Sequence, residues 1–81
     1  MSKAKVIQIL DLKGVPCPMN FVKVLLALEE IENGEALKVI LDDGDPVKNV
    51  TASIKEEGCQ ILKVEQQGSY WGLIIKKLEV D

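Results

Sequence analysis

The chain has 81 residues, 47% of them hydrophobic and 28% charged, and carries a formal net charge of −3 with no histidine. That length fits one small domain spanning residues 1–81, and a single Trp, Tyr and Phe leave Val, Ile and Leu to fill its core. Without histidine, this chain alone builds no Cys–His nucleophile pair, no Ser–His–acid triad and no histidine-containing zinc site, so neither a metal nor another cofactor is expected. The 13 acidic and 10 basic residues are dispersed, without the clustered Lys and Arg that non-specific nucleic-acid binding relies on, and no direct nucleic-acid contact is expected. No apolar stretch approaches the length of a membrane span, and Val6 to Leu10 is too short for a signal peptide, so a cytoplasmic protein without a membrane partner is expected. Two cysteines 42 positions apart, outside any Cys-x-x-Cys pair, are too few for a disulfide scaffold.

In chain order, Lys5 to Asp11 is short and β-branched and predicts a strand. Lys13-Gly14-Val15-Pro16 reads as a turn, because Gly permits unusual dihedrals and a residue before proline is pushed out of the helical region. From Pro18 to about Ile31 the spacing predicts a helix, with Asn20, Lys23, Ala27 and Glu30 as its polar positions. Phe21, Val22, Leu25, Leu26 and Leu28 form its wide apolar face, so the helix is expected to be largely buried. Asn33-Gly34 is expected to end it in the left-handed conformation. Ala36 to Leu41 is a second strand, and after the polar loop Asp42-Asp43-Gly44-Asp45 a second helix is expected. In that helix Asp45 is the N-cap and Pro46 the first residue, Val47, Val50 and Ile54 face the core, and Gly58 is the stop. Cys59 to Gln66 and Tyr70 to Leu78 read as strands joined through Gln67-Gly68-Ser69 as a hairpin.

The order β-α-β-α-β-β implies an α/β (α+β) two-layer sandwich, with a right-handed parallel β-α-β unit and both helices on one face of a four-stranded mixed sheet. The last strand has apolar residues of both parities, Trp71, Leu73 and Ile75 against Tyr70, Ile74 and Leu78. The uncovered sheet face is therefore a candidate surface for a partner or for a homodimer.

Cys17 stands between two prolines at the start of the first helix. With Pro18 in the first helical position, Cys17 falls at the N-cap. There the unpaired N–H groups of the first turn and the positive end of the helix dipole favour a thiolate or persulfide over a neutral thiol. The competing reading is a small buried hydrophobe, for which a turn between prolines is a poor place. Cys59 gets the opposite reading, a packing residue, with a resolving thiol as the alternative. Asp11 either bonds backbone N–H groups of the Gly14–Pro16 loop or ends a strand as a solvated charge. Lys13 and Lys23 either stabilise the sulfur anion or are ordinary surface charges. The Asp42–Asp45 cluster lacks the spaced ligands and closing Glu of a calcium loop and reads as a turn with a cap.

Leu10-Asp11, Gly14, Cys17-Pro18, Gly34-Glu35, Asp45-Pro46, Gly58 and Ile75-Lys76-Lys77, at this spacing, resemble the TusA/SirA-like (YedF-like) sulfur-carrier family across nearly the whole chain. The resemblance implies sheet order 1-2-4-3 and a cysteine that receives a persulfide sulfur and passes it on. It also implies a cysteine desulfurase or rhodanese-like donor and, as acceptor, a downstream sulfur-relay protein or enzyme, with tRNA thiolation, cofactor sulfuration, sulfur oxidation and selenium handling as the pathways left open. One departure is visible. The family's usual Cys-Pro-x-Pro is Cys17-Pro18-Met19-Asn20 here, and Asn20 is expected beside the sulfur, where a partner reads the surface and where its amide can bond back toward the cap. The function expected is a sulfur carrier or sulfurtransferase acting through Cys17. The alternative is a regulatory or RNA- or protein-interaction module with Cys17 structural or redox-sensing.

Overall fold

The computed structural model describes residues 6–16 and 18–77. Six elements follow in the order β1 (Val6–Asp11), α1 (Met19–Glu30), β2 (Ala36–Asp42), α2 (Asp45–Glu56), β3 (Gln60–Gln67) and β4 (Tyr70–Lys76). The four strands form one sheet in the order β1-β2-β4-β3. β1 runs parallel to β2, with Ile9 opposite Lys38 and Asp11 opposite Ile40. β4 is antiparallel to both β2 and β3. The order and mixed pairing agree with the expected architecture. Lys5 and Leu78, placed in strands on sequence grounds, lie outside the described residues.

Strand alternation sorts the side chains. Leu37, Val39 and Leu41 of β2 and Leu73 and Ile75 of β4 are fully buried, and they form one cluster with Val24, Ala27, Leu28 and Ile31 around α1 and Val47, Val50 and Ile54 of α2. Both helices therefore cover the same sheet face. The other face is not a bare apolar surface. Lys38 lies across β4, its Cε 3.3 Å from where a Cβ on Gly72 would stand, and Lys63 and Glu65 on β3 form an exposed ion pair. Ile9, 64% exposed, is the apolar residue most open to solvent there.

Three local expectations change. On α1 the buried positions are Asn20, Val24, Ala27 and Leu28, while Val22 and Leu26 are exposed. The small and polar side chains face inward because the helix has apolar residues on nearly every side, and the face that fits closest to the sheet wins. The helix also stops earlier. Ile31 leaves it in an extended conformation and buries its own side chain, and Gly34 takes its positive φ of 91° in the separate turn that follows, closed by Glu35 N–H to the Glu32 carbonyl. The helix starts shift by one residue in opposite directions, α1 beginning one residue later than expected and α2 one residue earlier. Pro18, at φ −94° and ψ 7°, is the N-cap of α1, and Gly44 at φ 98° is that of α2, with Asp45 and Pro46 inside the first turn. The tight turn after β2 needs a positive φ that Gly supplies and Asp does not.

At the far end of α2, Gly58 N–H reaches the Lys55 carbonyl and Cys59 N–H the Ile54 carbonyl. This is the paired-bond stop in which Gly takes the left-handed position. Among the described residues no helix is long and apolar enough to cross a membrane.

Candidate functional site

β1 and β2 are parallel, so Asp11 and Asp42, their last residues, sit at one end of the sheet. Tyr70 pairs with Asp42 at that same end. The starts of α1 and α2 both follow from there. Chains that leave parallel strands at their carboxyl ends and enter helices bring helix N-termini together, the usual location of a site in sheets of this kind. Cys17 itself lies outside the described residues, but Pro16 before it and Pro18 after it belong to this end.

The loop that carries it is held by named bonds. Leu12 N–H donates to the Ile40 carbonyl at 2.8 Å, extending the sheet one residue past β1, and Val15 N–H donates to the Leu12 carbonyl at 3.1 Å. That closes a turn over Leu12–Val15, in which Gly14 takes φ 81°, the positive value such a turn demands at its third residue. Two carboxylates fasten the turn. Asp11 Oδ1 accepts Lys13 N–H at 3.1 Å, and Asp42 Oδ2 accepts Gly14 N–H at 2.7 Å. Asp11 thus binds the loop backbone, though at Lys13 rather than at Gly14. Gly14 is held by Asp42, 28 residues away, which sequence reading assigned only to a polar loop.

Lys13 extends over the Tyr70 ring, with Nζ 4.6 Å from its centroid. Such a contact on an exposed side chain contributes about 0.5–1 kcal/mol and directs the ammonium toward the hairpin end. Lys23 is exposed on α1. Asn20, expected at the surface, is completely buried. Its amide does not bond back to the cap. Its Oδ1 accepts Phe21 N–H at 2.7 Å, and its Nδ2 is buried without a hydrogen-bond partner.

The start of α1 offers an anion less than a bare helix end would. Asn20 N–H goes to the Pro16 carbonyl and Val22 N–H to the Pro18 carbonyl, each at 3.1 Å, and Phe21 N–H is taken by Asn20. Pro18 has no N–H. Met19 N–H has no acceptor among the described residues, and no acidic side chain stands in the first turn. An anion here meets one backbone donor and an uncompensated dipole end.

The remaining candidates are spent structurally. Asp43 Oδ1 accepts the Trp71 indole N–H at 2.6 Å, and Lys77 Nζ bonds the Ile31 carbonyl at the end of α1. Lys77 thus caps the carboxyl end of that helix. No group of three or more His, Cys, Asp or Glu side chains among the described residues comes together to hold a metal. Cys59 packs against the core just before β3, at the end of the sheet where Gln60 faces Lys76. Along the strands this is the end opposite to the one where Pro16 and Pro18 stand. A groove of about 490 Å³ runs along α2 to Trp71, past Val47, Thr51 and Ala52, and includes none of the residues of the cysteine loop.

The fold, with the anchored Leu12–Val15 turn leading into α1, is that of a known class. The family described as Sulfurtransferase TusA matches residues 8–77, and the chain belongs to it. Among its relatives, a protein of Archaeoglobus fulgidus named "Putative sulfur carrier protein" is 41% identical over 71 residues, covering 86% of this chain and 81% of its own. The YedF protein of Escherichia coli, given the same description, is 31% identical over 68 residues, covering 84% of this chain and 88% of its own. The crystal structure of a SirA-like protein from Desulfitobacterium hafniense superposes with a TM-score of 0.75 over 90% of this chain and 100% of that one at 20% identity, which shows a shared fold.

Proposed function

We propose that this protein is a sulfur carrier whose Cys17 accepts and hands on a persulfide sulfur. The observation that carries the reading is the anchored turn. Gly14 and Lys13 are pinned by carboxylates from two strands, immediately before a helix start whose first turn contains no acid. A cysteine at such a place can be a thiolate without histidine, since the helix terminus favours the anion.

In the loading step the Cys17 thiolate attacks the terminal sulfur of a donor protein's persulfide. A new S–S bond forms as the donor's S–S bond breaks, and the donor cysteine leaves as a thiolate. The proton stays on the transferred sulfur, so charge and oxidation state balance across the two proteins. An acceptor thiolate repeats the displacement on Cys17–S–SH and returns Cys17 to the thiolate. A cysteine desulfurase or rhodanese-like protein suits the donor role and a downstream sulfur-acceptor protein the other. The reading goes with a cytoplasmic location and with one domain over residues 1–81.

Incubation with a cysteine desulfurase and cysteine, followed by intact mass measurement, tests it. One added sulfur is expected in the unmodified protein and in Cys59→Ser, and none in Cys17→Ser. No adduct from any desulfurase or rhodanese donor overturns the reading.

A further inference from the structure

The groove along α2 is built on one face of that helix. Lys48, Thr51, Ala52 and Lys55 line it at the spacing i, i+3, i+4, i+7, and Val47 and Trp71 add apolar surface. At 1.5 Å per residue, about 10 Å of helix axis separates the two lysines. Thr51 and Ala52 between them are short, and the groove stays open over about 490 Å³. Neither lysine has an acidic partner among the described residues, where the ion pair is Lys63–Glu65. Asp43, the carboxylate in the lining, is taken by the Trp71 indole N–H at 2.6 Å. The neighbouring edge of the sheet is uncovered as well. Val64 on β3 stands opposite the buried Leu73, hence on the face the helices cover, yet it is 49% exposed.

We propose that this groove docks an amphipathic helix of a partner protein, its apolar side against Val47 and Trp71 and two acidic residues, seven positions apart, against Lys48 and Lys55. Helices share one rise per residue, so acids at i and i+7 fall about 10 Å apart, as the lysines do. Apolar contact along the groove supplies affinity, and the charges at its two ends fix register and exclude basic partners. A second copy of this chain does not complement the groove, because a two-fold pairing of α2 with itself sets lysines against lysines. The groove begins at Asp43 and Gly44, beside Asp42, whose carboxylate holds Gly14 in the turn before α1. A partner seated on α2 therefore meets the protein at the same end of the sheet as that turn, and its docking rests on none of the sulfur chemistry proposed above.

Trp71 is the chain's single tryptophan, so the fluorescence of the full chain reports on the groove directly. The probe is a Trp-free helical peptide of about 18 residues, or five turns, with Leu at i, i+3, i+4 and i+7 and flanking Glu residues seven apart. Its control carries Lys in place of each Glu. The Glu peptide is expected to change Trp71 emission to saturation at low salt, and the Lys peptide to bind about tenfold more weakly, the effect of two exposed charge pairs together. Lys48→Glu with Lys55→Glu, two exposed substitutions, is expected to reverse that preference, with circular dichroism confirming the fold. No saturating change with the Glu peptide up to about 1 mM overturns the proposal. Equal binding of the two peptides, or an unchanged preference in the folded double variant, overturns it too. Emission that depends on protein concentration alone assigns the groove to a second copy, and saturation by dodecanoate but not by the peptide assigns it to a small amphipathic anion; either result overturns the proposal. Cys17→Ser is expected to bind the Glu peptide unchanged, so a failure of docking and a failure of sulfur loading are separate results.

Discussion

The two helix starts lie at the same end of the sheet and are built in opposite ways. α2 closes itself. Gly44 turns the chain with a positive φ, Asp45 places a carboxylate in the first turn, and Lys55 sits in the last turn, so both dipole ends meet a complementary charge. α1 has no acid in its first turn and no base in its last; its end is met by Lys77 from beyond β4. The adjacent residues Asp42 and Asp43 make the same contrast. Asp42 reaches across to Gly14 in the loop before α1, whereas Asp43 holds Trp71 on β4 beside the start of α2. A helix start that carries its own counter-charge is finished as structure, while one held in place from outside, with its dipole end unanswered, is left open to chemistry.

The bond from Asp42 to Gly14 is where that difference breaks with the largest effect. Asp42→Ala removes a charged acceptor at 2.7 Å from a backbone N–H. It is expected to cost about 1.5 kcal/mol in urea unfolding, the lower part of the range for hydrogen bonds to charged groups because the contact is exposed. Sulfur loading at Cys17 should fall with it, and Asp42→Asn, which keeps an acceptor, should recover most of both. If loading survives intact in Asp42→Ala, the turn is not what positions the cysteine.

Gly14→Ala acts on the same turn through the backbone. Nothing stands within 4 Å of the added Cβ, so its cost is conformational alone, set by φ 81°. About 1 kcal/mol is expected, measured by the same unfolding curve. A much larger loss would mean that the loop is packed more tightly than its open surroundings show.

The sheet was legible because strand alternation and turn residues are local signals. Leu37, Val39 and Leu41 alternate along β2, Leu73 and Ile75 along β4, and all five are buried. The face of α1 was not. With Met19, Phe21, Val22, Val24, Leu25, Leu26 and Leu28 crowded into one helix, hydrophobic period selects no side, and the closest approach to the sheet is decided by the small Ala27 and by Asn20. Of the site, Cys17, Gly14 and Asp11 are recognisable from residue type and spacing. The bond between Asp42 and Gly14 spans 28 residues and exists because β1 and β2 pair in one particular register. No signal within either loop specifies it. Asn20 misled for a related reason: an amide near a cysteine reads as surface chemistry until its burial is known.

The smallest effect belongs to the self-closed helix. Asp45→Ala removes the only acid in the first turn of α2, an exposed carboxylate whose interaction with the dipole contributes about 0.5 kcal/mol and is screened by salt. The loss of stability is therefore expected at low ionic strength and should nearly vanish in 1 M salt, where the Debye length is roughly 3 Å. Since Gly44 and Pro46 still set the backbone at this start, the helix should keep its length by circular dichroism, and Cys17 should load sulfur as before. Gly14→Ala should show little of that salt dependence, because its cost is backbone conformation rather than charge. If instead Asp45→Ala impairs loading more than Asp42→Ala does, the open start and the finished one have been assigned the wrong way round, and the chemistry at this end of the sheet depends on α2.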